Sequence, residues 1–146
     1  MDTRIEKIFA KSESDYKRTI LKELNNSGYF FPISPSQFMA HGVSDILGIN
    51  KKGRFVAIEL KVSSVKSVGQ QNMVKFTPAQ IEFLEKIHNN LGLAWGLVIF
   101  RYLKKYVALK PEHIKRSNTI IECFNNAPCF VDFDNLKLLV NRITGE

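Results

Sequence analysis

One stretch constrains this chain more than any other: Arg54-Phe55-Val56-Ala57-Ile58-Glu59-Leu60-Lys61-Val62. In an extended strand, successive side chains point to opposite faces. Val56, Ile58, Leu60 and Val62 then share a wholly apolar face. The other face begins with Phe55 and Ala57 and turns charged at Glu59 and Lys61. A carboxylate and an ammonium at the end of a buried strand cost desolvation free energy unless something satisfies them. A solvated ion pair on an open sheet face is the bland alternative, and the apolar Phe55 and Ala57 beside it argue against that.

The flanking pattern makes this strand part of a hairpin. Ser44 to Ile49 reads as a strand, and Asn50-Lys51-Lys52-Gly53 as the turn. In such a hairpin, residues whose numbers sum to roughly 103 or 104 lie opposite one another, which sets Asp45 against residue 58 or 59. Two carboxylates and an amine then converge at one end of the sheet. By itself, Asp45 would more simply end a strand or cap a turn.

Upstream, Ile5, Ile8, Phe9, Tyr16, Ile20, Leu21 and Leu24 recur at helical spacing. Ser12 or Ser14 is placed to cap a second helix running to Asn26, with Gly28 as its C-terminal cap. Tyr29 to Ile33 reads as a strand near an edge, because of Pro32. Downstream, residues 63–76 read as a loop of little apolar content. Thr77-Pro78-Ala79-Gln80 then opens a helix, with Thr77 as N-cap, Pro78 at the first position and Gln80 completing a capping box. Ile81, Leu84, Ile87, His88 and Leu91 line one face, and Gly92 ends the helix.

Leu93 to Phe100 is an apolar run of buried-strand length. A strand over Tyr102–Leu109, a helix from Pro111 to Cys123 or Phe124, a short strand over Pro128–Phe133 and a last helix capped by Asp134 or Asn135 complete the pattern. Leu136, Leu139, Val140 and Ile143 form that helix's inward face. The expectation is one α/β domain over 1–146, with a mixed central sheet flanked by helices and C-terminal strand and helix additions.

Charge points towards a partner. Residues 51–75 carry six Lys or Arg against Glu59 alone, and residues 101–118 carry six against Glu112 alone. Clustered bases displace counterions from phosphates, so two such blocks suit a polyanion. Cys123 and Cys129 are too few for a disulfide framework and match no zinc spacing, which suits a reducing cytosol. No apolar run is long enough to span a membrane, and the charged Met1-Asp2-Thr3-Arg4 start lacks a signal-peptide core. The expected location is cytoplasmic, in a host cell's cytoplasm if the chain is phage-encoded.

The chemistry suggested by Asp45, Glu59 and Lys61 is that of a hard divalent cation. Carboxylate oxygens, joined by the Leu60 carbonyl, suit Mg2+, which keeps its remaining positions for water and phosphate oxygens; Mn2+ is a substitute. Lys61 is suited to steady an attacking water or the charge developing on phosphorus.

Ser44-Asp45, thirteen residues, then Glu59-Leu60-Lys61 resembles the PD-(D/E)XK nuclease signature, with Ser44 where the family has Pro. The helix-strand-strand-strand-helix-strand order resembles that superfamily's restriction-endonuclease-like core. Gly42-Val43-Ser44-Asp45, Gly53-Arg54-Phe55 and Thr77-Pro78-Ala79-Gln80 are similar to VRR-type nucleases and RecU-type Holliday-junction resolvases. Gly92 to Phe100 and the additions beyond it lie closer to the resolvases. The resemblance implies a metal-dependent endodeoxyribonuclease, with branched DNA as substrate and a homodimer as the working unit, because junction resolution needs two symmetric cuts.

The resemblance further implies an acid from the first helix. Glu13 is the candidate, three residues before Tyr16 on the inward stripe; Glu6 and Glu23 are runners-up that helix geometry does not separate. Gln80 matches a polar position beside the family's site. Lys51, Lys52, Arg54, Lys66 and Lys75 are the expected DNA contacts. His41 reads as a bystander, and Tyr16 and Trp95 as packing residues. Two alternatives stand beside this reading: a catalytically silent DNA-binding module on the same fold, and a nuclease of linear DNA of restriction or phage type. A protein-interaction domain meeting an acidic partner is a third class, with no specific feature behind it.

Overall fold

Ser12 starts the first helix by accepting a hydrogen bond from the Asp15 N–H, while the Asp15 carboxylate accepts one from the Ser12 N–H. This capping box satisfies two of the N–H groups that a helix start leaves orphaned. A computed structural model describes residues 12–34, 42–69 and 72–145. The helical reading of Ile5, Ile8 and Phe9 lies outside these residues, as do Glu6 and His41. The elements in chain order are α1 (Glu13–Leu24), β1 (Gly28–Pro32), β2 (Ile46–Asn50), β3 (Phe55–Ser63), α2 (Pro78–Asn89) and β4 (Leu93–Phe100). They continue with β5 (Lys105–Leu109), α3 (Pro111–Arg116), α4 (Ile120–Asn126), β6 (Cys129–Asp132) and α5 (Leu136–Ile143).

The six strands form one sheet in the order β1-β2-β3-β4-β5-β6. All neighbours are antiparallel except β3 and β4, which run parallel and are joined through α2. A parallel pair needs such a crossover, because a tight hairpin cannot return the chain in the same direction. Alternation along β3 divides the core as expected. Val56, Ile58 and Leu60 pack with Tyr16, Ile20 and Leu24 of α1 and Leu139, Val140 and Ile143 of α5. Ala57 packs on the other side with Leu84 of α2, Ile114 of α3 and Ile120 of α4. Among the described residues no helix is long and apolar enough to cross a membrane.

Several expectations are corrected. Asn25, not Gly28, closes α1; its side chain also accepts from the Phe30 N–H, and Gly28 is already paired with Asn50 in the sheet. Helix α2 ends at Asn89, and Leu91 rather than Gly92 takes the left-handed turn, which carries Leu91 out of the inward stripe into solvent. His88 is exposed too. The helix expected from Pro111 to Cys123 is two helices, because Thr119 caps a new start through the Glu122 N–H. Strand β5 begins only at Lys105, because residues 101–104 form a turn with Lys104 left-handed. Loop 63–76 is not an apolar-poor projection throughout. Met73 and Phe76 are buried, and the Met73 N–H donates to the Asn118 carbonyl.

Candidate active site

The hairpin register is what brings the acids together. Asn50 anchors the turn by accepting from the Lys52 and Arg54 N–H groups, and Gly53 supplies the positive φ of 80° that a side chain would strain. Ile46 then lies opposite Ile58, so the next position sets Asp45 beside Glu59. The Asp45 carboxylate accepts a hydrogen bond from the Leu60 N–H at 2.8 Å, and the Asp45 carbonyl accepts from the Ile33 N–H at 2.8 Å. Asp45 is thereby tied to strands on both sides.

Glu59 is 4% exposed. One of its oxygens, Oε1, accepts from Gln80 Nε2 at 2.8 Å; the other, Oε2, is buried with no hydrogen-bond partner. Burial raises its pKa from 4.5 to about 8, the Asp45 carboxylate adds to the rise, and Lys61 opposes it. A buried carboxyl with an unsatisfied oxygen is costly, and it persists where a function needs that oxygen.

Gln80 is shared between a cap and the site. Its Oε1 accepts from the Thr77 N–H at 2.9 Å, and Thr77 Oγ1 accepts from the Gln80 N–H at 3.2 Å. The capping box read in the sequence therefore also fixes which way the Gln80 amide faces, with its NH2 towards Glu59. The positive end of α2 points into the same corner, where it favours anionic groups.

Gly42 lies against this helix start. Its φ is 66°, and a Cβ there would come within 2.3 Å of the Ala79 carbonyl. Gly96, in register with Glu59 on β4, leaves room for Phe76, and Lys61 Nζ lies 5.7 Å from the centre of that ring.

These residues open onto a cavity of about 470 Å3 lined by Glu13, Lys17, Asp45, Glu59, Lys61 and Gln80 among others. Glu13 is exposed at the first turn of α1 and stands at the cavity wall. Glu23 sits at the far end of α1, bonded to Asn26. Among the described residues no three His, Cys, Asp or Glu side chains make a ready cation-holding group. The assembled unit is the Asp45–Glu59 pair, with the orphaned Oε2 as the atom that fits a cation.

The expected basic contacts separate. Lys51, Lys52 and Arg54 lie at the opposite end of β3 from the acid pair, and Arg54 Nε donates to the Leu91 carbonyl. Lys66 lies beyond the acid end of β3, with Nζ 5.5 Å from the centre of the Tyr102 ring, and Lys75 is exposed before α2. Tyr16 and Trp95 are buried in the core, as packing residues should be. Two features went unread in the sequence. Lys17 lines the cavity while donating to the Ile33 carbonyl at 3.3 Å, and Ser44 buries a hydroxyl without a partner. Helical spacing from Glu13 offered a signal for Lys17, one turn on; Ser44 stood out only as the first motif position, and nothing marked its hydroxyl as buried.

Compared with known proteins, the chain matches no family model and no curated protein sequence.

Proposed function

We propose that this protein is a metal-dependent endonuclease that hydrolyses phosphodiester bonds at the Asp45–Glu59–Lys61 corner. The observation that carries the reading is Glu59: a buried carboxyl with one oxygen fixed by Gln80 and the other unpartnered, beside a second carboxylate and an ammonium, in an open cavity. The helix, three-strand, helix, strand order, with one parallel pair at β3–β4, supports a restriction-endonuclease-like core of the PD-(D/E)XK type.

Asp45, Glu59 and the Leu60 carbonyl are the groups that would hold the cation. When bound, Mg2+ or Mn2+ makes a water easier to deprotonate and offsets charge on the phosphate. The chain does the rest. Gln80 orients Glu59, the Leu60 N–H orients Asp45, and the head of α2 favours the phosphate's negative charge. The Lys61 ammonium lies where it steadies a nucleophile or the charge that builds on phosphorus. A substrate with a phosphodiester backbone also suits the basic blocks, because each neutralised phosphate releases counterions.

Branched DNA is the proposed substrate and a homodimer the proposed working form, both from the resolvase-like motifs. The test is to incubate the protein with four-way junction, flap, duplex and single-stranded DNA, with and without Mg2+, and map the cuts. Cation-dependent cuts that Asp45→Asn abolishes support the reading. No cutting of any substrate by the wild-type chain would overturn it.

A further inference from the structure

The sheet face that carries Asp45 and Glu59 does not end at the acids. Cross-strand register stacks three rows of side chains on it. Ile33, Asp45 and Glu59 form the first row, at the cavity. Phe31, Leu47 and Ala57 form the second. Tyr29, Ile49 and Phe55 form the third, directly opposite one another on β1, β2 and β3. The third row and the β1 end of the second are open: Tyr29 is 67% exposed, Ile49 46%, and Phe31 and Phe55 39% each, whereas Leu47 is half-buried and Ala57 is sealed by the helices. The Tyr29 and Phe31 rings lie 6.0 Å apart, tilted by 46°. Water-facing aromatic rings on a sheet are costly unless something covers them.

The charge around this face selects the occupant. Lys51, Lys52 and Arg54 rim the third row and are exposed, and residues 28–33 and 46–58 contain no Asp or Glu. Two copies of the chain meeting here would bring those bases together, which like-charge repulsion opposes. A polyanion with flat apolar faces fits both features: nucleobases stack on aromatic rings while lysines meet the phosphates. The exposed route to the cavity runs along β1, where Tyr29 to Ile33 is about 13 Å, roughly the length of four stacked nucleotides.

We propose that Tyr29, Phe31 and Phe55 form a stacking platform for unpaired bases, leading a nucleic-acid strand along the sheet face to the Asp45–Glu59 corner. The proposal rests on the nuclease reading for what happens at that corner. It commits the substrate to an unpaired stretch beside the scissile bond. It also gives Lys51, Lys52 and Arg54, distant from the acids, a place on the substrate path.

The test measures binding by the full chain in EDTA, by fluorescence anisotropy. The probes are a blunt DNA duplex and the same duplex with a single-stranded tail. The wild-type chain is expected to prefer the tailed probe. Tyr29→Ala/Phe55→Ala weakens tail binding by about tenfold or more and changes blunt-duplex binding by less than about twofold. Tyr29→Trp retains the preference and Tyr29→Leu loses it, which separates stacking from general apolar contact and does not depend on the double variant folding. Lys51→Ala/Lys52→Ala weakens the tailed probe more than the blunt duplex and flattens the salt dependence of tail binding; equal losses would take these bases off the path.

Equal losses on both probes in Tyr29→Ala/Phe55→Ala, or none, would overturn the platform. So would sedimentation showing a dimer that Tyr29→Ala dissolves while tail affinity stays unchanged, which would assign the face to a second copy. Ring-dependent tail binding by a chain that cuts nothing with Mg2+ would keep the platform and remove the nuclease.

Discussion

The two sides of β3 are built from alternate residues of one strand, yet they obey different rules. Val56, Ile58 and Leu60 are closed over by α1 and α5, on a side where Asn50 Nδ2 donates to the Thr144 carbonyl and Trp95 Nε1 to the Ile143 carbonyl. One residue away, the other side holds Glu59, buried with an unpaired oxygen, and Lys61 beside it. The first side is optimised for burial. The second sacrifices burial free energy at one corner, and the surrounding devices (the Gln80 amide, the head of α2, the Gly42 contact) hold that corner in shape. Polarity that the fold does not need, held in place by several elements, marks a functional site.

Substitutions separate the two sides. The largest effect is expected from Lys61→Ala or Asp45→Asn, which should cut phosphodiester cleavage by about a hundredfold to a thousandfold with circular dichroism unchanged. On the sealed side, Ile58→Ala or Leu24→Ala should lower unfolding free energy by about 2–5 kcal/mol in urea titrations, because each opens a cavity among fully buried neighbours.

Glu59→Gln should do the reverse in EDTA and stabilise the fold. The Glu59 carboxyl holds its proton up to about 8 when folded and only to 4.5 otherwise. The contribution of this carboxyl to native stability is therefore fully present below pH 4.5 and is lost as pH rises towards 8. Thermal melts should show the Gln variant gaining on wild type across that window, by a few kcal/mol at most, with little difference below it. An unchanged difference across the window would mean that the carboxyl is not buried as described.

The smallest effects divide the two duties of Gln80. Gln80→Glu keeps a capping acceptor but sets a carboxylate oxygen against Glu59 where the amide donated, so cleavage should drop about tenfold and stability should fall wherever both carboxyls are ionised. Thr77→Ala should cost about 1 kcal/mol of stability through the lost cap. Its Gln80 amide is still held at Glu59, so cleavage should fall less than in Gln80→Glu.

Local patterns made much of this legible in the sequence. The period of two along residues 54–62 separates the faces of β3, the Gly53 turn sets the register that puts Asp45 beside Glu59, and Thr77-Pro78-Ala79-Gln80 carries its capping box openly. What depends on how elements end in space was less legible. Glu13 shares a helical stripe with Tyr16 in sequence, but at the first turn of α1 it is exposed at the cavity wall where Tyr16 is buried. Charge clustering in sequence grouped Lys51, Lys52 and Arg54 with Lys61, whereas an extended strand carries them to opposite ends. The open aromatic rows were illegible for a further reason. Tyr29 and Phe31 read only as part of a strand near an edge, and the sequence does not say which side of that strand the helices leave uncovered.

The central claim is that the Asp45–Glu59 pair holds a divalent cation. Calorimetric titration of the metal-free protein with Mn2+ tests it most directly. Wild type should bind the ion, more tightly above pH 8 than below it, because the Glu59 proton must leave first. Asp45→Asn/Glu59→Gln should lose that binding, and Lys61→Ala should keep it. Mn2+ uptake by Asp45→Asn/Glu59→Gln equal to wild type, or no uptake by wild type at any pH, would contradict the account.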